Sequence, residues 1–327
     1  MAIKLSELKW RGSATMPDDD TPTAIGGAIA LDKKVHLQDV NGTVQGVSSA
    51  AGDTTQTITV SGRDATGAIV APVITLNGTT VVTNAQSFER LLKAVKSATT
   101  TGDVAIEAQT AERTGTAQAG TADDITLDAG ASGVDTTYDF MVIRLTGGTG
   151  SGQIREVIRY TGADKKALVS RPWSVTPDAT TTFRISKGMY FDKSPDEIMQ
   201  VRRPFYNASA NAPGGGAVDY HEKLFAKNTH GSLALLSAKV AELADPSASV
   251  SFALETTVNG TGTNGGGNNR KVAPSSGVGG FDSTEKDVPG TQLTAGQVIG
   301  VWLKLSLADG GAALKTTWTP RLKGNTV

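Results

Sequence analysis

Apolar and polar positions alternate with a period of two through much of this chain. In Gln56-Thr57-Ile58-Thr59-Val60 the apolar residues fall on one side, and Ile74 and Leu76 resume the alternation beyond the turn-like RDATG. That predicts antiparallel strands. The NGTT at Asn77 to Thr80 supplies a further turn, Asn-Gly being the strongest short hairpin signal. SFERLLKAVKSA leaves two readings open: Phe88, Leu91, Leu92 and Val95 have helical spacing, yet the segment is barely long enough for a stable helix and also suits a strand. Farther on, Asp124–Leu127, Phe140–Thr146, Gln153–Thr161, Ala167–Arg171 and Thr181–Ile185 read as short strands, with GGTGSG (Gly147 to Gly152) and TGADKK as connectors. This spacing predicts a small barrel or sandwich.

The pattern then breaks at Asp192 to Gly216, where RRPFYNASANAPGGG concentrates Pro, Asn and Gly and predicts an irregular linker. Alternation returns in Ser249–Glu255, with Val250, Phe252 and Leu254 on one face. NGTGTNGGGNNRK follows and predicts an exposed loop with nothing to bury. In the closing stretch Val301, Leu303, Leu305 and Leu307 face one way; Trp302, Lys304 and Ser306 face the other, placing Trp302 on the open side of a half-buried strand. The expected fold class is all-β, with several small sandwich or barrel modules in tandem. Its parts are an extended N-terminal arm over 1–43, a β-sandwich over 44–110 and a small barrel-like module over 111–190. A linker over 191–218 and an immunoglobulin-like sandwich over 219–327 complete it.

Composition agrees with that reading. Of 327 residues 38 are Gly, and hydrophobic and charged residues stand at 38% and 19%, below globular averages, so small turn-forming residues take the difference. The formal net charge is −1, which gives no electrostatic footprint for nucleic acid or an anionic membrane surface, and neither is an expected partner. There is no Cys, hence no disulfide and no thiolate metal site, and the His are only three, His36, His221 and His230. The opening MAIKLSELKWRGSATMPDDD lacks the apolar core of a signal peptide, and no run approaches the length of a membrane span.

Candidate chemistry is correspondingly thin. GGTGSGQ resembles a phosphate cradle, but no Gly-Lys-Ser/Thr follows and the next residues are strand-like, so it reads as a hairpin turn. Asp18, Asp19 and Asp20 are adjacent and lack the alternating spacing of a calcium loop, so they read as a solvated run. His221 and His230 read as ordinary histidines. The candidate interface residues are Trp10, Arg202, Arg203, Phe205, Tyr206 and Trp302: a basic-aromatic cluster flanked by two large aromatics of the kind buried at the centre of protein contacts. No catalytic residue, metal or cofactor is expected.

Three stretches resemble modules of structural proteins from tailed bacteriophages and prophages. AIKLSELKWRGSATMPDDD with the following GGAI resembles the N-terminal arm of a group of virion proteins. Thr114 to Ile185, with GTAQAGTADDITLDAGAS, MVIRLTGGTGSGQIREVIRYTG and RPWSVTPDATTTFRI, resembles a small β module recurring in phage particles. YHEKLFAKNTHGSLALLSAKV with SFALE and GQVIGVWLKLSL resembles the C-terminal immunoglobulin-like sandwich of the same group. The resemblance implies that SLALLSAKVAEL is a strand. It also implies a non-enzymatic, multi-copy virion component, assembled in the host cytoplasm, homo-oligomeric and packed against capsid, tail or baseplate subunits. A tail or baseplate position is favoured and capsid head decoration is the alternative. A carbohydrate- or receptor-binding adhesive module is a second alternative, with Trp302 and Trp318 as its candidate aromatics.

Overall fold

The computed structural model describes residues 2–17, 23–35, 39–193, 198–205, 215–243, 248–265, 270–275, 277–310 and 318–326. Asp18, Asp19, Asp20, His36 and Tyr206 lie outside the described residues. The protein is all-β, as the alternation predicts: half the chain is strand. The chain forms two compact units, one of Met1–Leu37 with Arg203–Val327 and one of Gln38–Arg202. The second unit is therefore an insertion in the first.

The opening residues differ from an extended arm. After a 3₁₀ turn at Leu5–Glu7, β1 (Leu8–Thr15) and β2 (Gly26–Val35) pair antiparallel, and β1 belongs to the sheet of the C-terminal residues. Their alternation is hard to read in sequence because the register shifts between Arg11 and Gly12 and again between Ser13 and Thr15.

The inserted unit begins with β3 (Gly42–Ser48), β4 (Thr57–Arg63), β5 (Ile69–Val70), β6 (Val73–Thr75), β7 (Val82–Phe88), β8 (Arg90–Lys96) and β9 (Val104–Ala108). SFERLLKAVKSA resolves as strand: Ile58, Thr59 and Val60 on β4 pair with Lys96, Val95 and Ala94 on β8, so its apolar residues are held by a neighbour that local spacing cannot reveal. Next come β10 (Arg113–Thr116), β11 (Ala119–Gly120), β12 (Asp124–Thr126), β13 (Val142–Gly147), β14 (Ile154–Thr161), β15 (Lys166–Val169) and β16 (Thr182–Ser186). They form a separate seven-stranded sheet, ordered β10-β16-β13-β14-β15-β12-β11, around its own core of Ile125, Leu127, Ile143, Tyr160, Phe183 and neighbours. Its end strands β10 and β11 are consecutive in the chain, and Ala117 and Gln118 between them bond to Thr181 and Thr126 at the two ends of the sheet. GGTGSG is the β13–β14 connection, with φ positive at Gly148, Gly150 and Gly152. A Cβ on Gly148 would lie 2.0 Å from the Thr180 carbonyl oxygen, so glycine is required there.

Then β17 (Gly188–Phe191) and β18 (Gln200–Arg202) return to the first strands: β17 pairs with β9 and β18 with β8. Sheet β17-β9-β3-β7 and the strands β18-β8-β4-β5, with β6 on β4, share a core of Val44, Ile58, Val60, Leu91, Ile106, Phe191 and Val201. Thus β17 and β18, the latter in the stretch expected as linker, complete a sandwich into which the seven-stranded module is inserted.

The remaining strands are β19 (Val218–Asn228), β20 (Leu235–Glu242), β21 (Val250–Leu254), β22 (Lys286–Asp287), β23 (Gln292–Leu293), β24 (Val298–Leu307) and β25 (Pro320–Asn325). In the first unit, sheet β21-β24-β19-β1-β2 faces β22-β20-β23 with β25 on β20. Leu224, Val301, Leu303, Phe252 and Leu254 from one sheet pack with Leu235, Val240, Leu293 and Leu322 from the other. SLALLSAKVAEL is the strand β20.

Candidate functional site

The face of β19, β24 and β21 that turns away from this core holds the first of three buried polar nodes. Register sets Lys223 opposite Trp302 and Trp302 opposite Ala253, while Phe225 lies opposite Gly300. Here the sequence reading needs correction: Trp302 is fully buried, not on an open face. Residues 24–27 and 259–265 cover it. They are joined by hydrogen bonds from Gly27 N to the Gly262 carbonyl (2.9 Å), from Asn264 N to the Ile25 carbonyl (3.1 Å) and from Ile25 N to Asn264 Oδ1 (3.1 Å). The Gly/Asn stretch is exposed along most of its described residues, as expected, but Asn264 and Arg270 within it are buried. What it buries there is polar, a side-chain amide, a guanidinium and backbone groups, for which an apolar count has no signal.

Lys223 lies at the centre of that cover. Its Nζ donates to Glu255 Oε1 (2.6 Å) and to the carbonyl oxygens of Gly27 (2.8 Å), Gly262 (3.1 Å) and Gly260 (3.3 Å). The Phe225 and Trp302 rings lie 4.6 and 5.8 Å from the ammonium. Burial pushes the Lys223 pKa below the lysine range and the Glu255 carboxylate opposes that shift. Glycines make room for the carboxylate, since a Cβ at Gly300, Gly260 or Gly262 would stand 2.1, 2.4 or 2.8 Å from a Glu255 oxygen. An ammonium whose three protons are engaged has no lone pair to offer, so this lysine fastens rather than reacts. Beside it Arg270 pairs with Glu222 (3.3 Å), and His221 N donates to the Arg270 carbonyl (2.6 Å). The His221 ring is buried, and burial lowers its pKa. His230 is a turn acceptor, its Nδ1 taking the N–H groups of Ser232 and Leu233.

The other two nodes join the seven-stranded module to its host sandwich. Asp103, immediately before β9, accepts from Arg155 Nη1 of β14 (2.8 Å), from Arg171, from the Tyr190 hydroxyl (3.2 Å) and from Lys193 N (3.1 Å). Burial, then the Asp103 charge, raises the Tyr190 pKa well above the usual tyrosine value. Glu107 of β9 accepts from Gln45 (2.8 Å) and pairs with Arg144 of β13 (2.9 Å) and Arg184 of β16 (3.5 Å). One carboxylate just before β9 and one near its C-terminal end thus hold the inserted sheet.

The described sequence-derived interface residues each have their own surroundings within their unit. Trp10 is half-buried and meets Trp318 edge-on with ring centroids 6.1 Å apart. It faces the core side of its sheet, opposite in sense to Trp302, since it pairs with Ala226. Arg202 is buried on β18 of the inserted unit. Arg203 and Phe205 belong to the other unit, where burial pushes the Arg203 guanidinium down to about 10 and Phe205 packs against the sandwich core. Trp318, like Trp302, is buried, so neither lines an open glycan face. Composition and spacing missed Lys223, Glu255, Asp103, Glu107 and Arg155; the nearest signal is a charged residue within an otherwise apolar strand, as in EKLFAKN and VAIEA.

Among the described residues, no group of three or more His, Asp or Glu is arranged to hold a metal ion, and no helix is long and apolar enough to cross a membrane. No protein-family model, curated protein or solved structure matches the chain.

Proposed function

We propose that this chain is a structural component of a tailed-bacteriophage virion, present in many copies and acting by packing against neighbouring subunits. The observation that carries the reading is where its buried carboxylates act. Asp103 and Glu107 brace one β module against another, and Glu255 clamps a glycine-rich cover to a sheet. Burying ions in this way fixes relative geometry more than it adds stability, which suits a part whose task is to hold shape. The resemblance of three stretches to phage particle modules points the same way.

Apolar side chains for such packing stand on the outermost strands of the inserted sandwich, where Ile69 and Val73 are 55% and 56% exposed. Pro72 between them obstructs continuous strand addition, so a neighbour meets side chains there instead of extending the sheet.

Within the particle the proposed place is the tail or baseplate. Capsid head decoration is the second reading, and the nested chain favours it: β17 and β18 complete a sandwich instead of spacing modules apart. Cryo-electron microscopy of intact particles from the parent phage tests both. Density for the chain at the neck, tail or baseplate supports the first, density on the capsid lattice supports the second, and absence from the particle refutes the structural role.

A further inference from the structure

We propose that the oxygen cage around Lys223 is a cation-binding site in its own right, filled here by the chain's own side chain and able to take a free primary alkylammonium when that side chain is shortened. Four oxygens converge on one point: Glu255 Oε1 and the carbonyls of Gly27, Gly260 and Gly262, at 2.6 to 3.3 Å from Nζ. These distances match charge-assisted N–H···O bonds and mostly exceed those of the common divalent ions, about 2.0 to 2.6 Å.

The cage is assembled by contacts that do not involve the lysine. Gly27 N donates to the Gly262 carbonyl, residues 25 and 264 bond reciprocally, and Gly262 N donates to Glu255 Oε1 at 3.0 Å. Gly300, Gly260 and Gly262 wall the carboxylate so closely that no side chain fits between. Removing the ammonium alone would leave a buried carboxylate and three carbonyls without their cation, a deficit that a replacement cation corrects. The Phe225 and Trp302 rings lie 4.6 and 5.8 Å from Nζ, so apolar surface borders the cage on the side where a short alkyl chain would lie. Lys223→Ala removes three methylenes and the ammonium, the outline of n-propylammonium. Occupancy of the cage, as well as strand pairing, then decides whether residues 24–27 and 259–265 stay closed over Trp302.

The test is thermal unfolding of the full chain carrying Lys223→Ala, titrated with n-propylammonium chloride against tetramethylammonium chloride at equal ionic strength. The expected result is a melting temperature lowered by about 6–20 °C, restored in part and saturably by n-propylammonium only, with the rescue lost in Lys223→Ala combined with Glu255→Gln. Equal effects of the two salts, rescue that survives Glu255→Gln, or a Lys223→Ala protein as stable as the parent would each overturn the proposal. If Lys223→Ala does not fold in buffer, its refolding yield in the two salts makes the same comparison. Lys223→Met, which fills the stem but donates nothing, is expected to melt below the parent; melting at the parent temperature would likewise overturn it.

Discussion

Replacing Asp103 by Asn removes the carboxylate that faces Arg155 at hydrogen-bond distance while keeping the side chain's volume. The Arg155 and Asp103 side chains are each only 2% exposed, so water cannot take over from the lost carboxylate. Arg171 is 21% exposed and keeps Asp192 at 3.9 Å, so it is partly compensated. Removing one partner of a buried pair costs about 3–5 kcal/mol; the amide retains an acceptor oxygen for the Tyr190 hydroxyl or Lys193 N–H, which places the expected loss near the lower figure. For a unit the size of Gln38–Arg202, about 3 kcal/mol lowers the melting temperature by roughly 6–12 °C. Urea unfolding followed by far-UV circular dichroism measures the loss directly. Asp103→Asn combined with Arg155→Met is expected to recover much of it, because the cost lies in the uncompensated guanidinium. A loss below about 0.5 kcal/mol for Asp103→Asn, or a double variant no better than the single one, would refute the account of this node as a charge-paired brace.

Two further outcomes follow from buried groups elsewhere. Burial raises the Asp139 carboxyl to about 6, above its unfolded value, so the native state binds more protons between pH 4 and 6 and stability falls as pH rises through that window, by about 3 kcal/mol at pH 7. Asp139→Asn keeps an acceptor for the Tyr160 N–H, which reaches Oδ1 at 2.5 Å; it is expected to be more stable than the parent at pH 7 and equal to it near pH 4. A pH-independent difference in urea midpoints would contradict that. Gly300→Ala puts a Cβ 2.1 Å from Glu255 Oε2, a carboxylate held in place by Lys223, and is expected to cost about 3 kcal/mol; Gly280→Ala, which meets nothing within 4 Å, is the control and should change stability by under about 0.5 kcal/mol. Similar denaturant midpoints for the two alanine variants would remove the glycine-walled site.

The sequence by itself determined the β class, many of the strands and the turns. Side-chain alternation and Asn-Gly or Gly-rich turns are local properties, legible from a few consecutive residues such as Gln56–Val60 or Gly147–Gly152. Pairing between distant segments is not local, and tertiary structure alone decided it. Nothing near Leu8–Thr15 announces that it joins β19, more than 200 residues later, and nothing near Gln200–Arg202 announces that it returns to β8. The same holds for SFERLLKAVKSA, whose apolar spacing suits either element until β4 lies beside it. Trp302 and the NGTGTNGGGNNRK stretch show why sites are harder still. Alternation rightly put Trp302 on the face away from the core, but whether that face meets water depends on what covers it, and here the cover is held by carbonyls that every residue possesses. Buried ion pairs share that character: Lys223 and Glu255 look like ordinary surface charges in a list of residues, and only a fold that withdraws both from water makes each depend on the other.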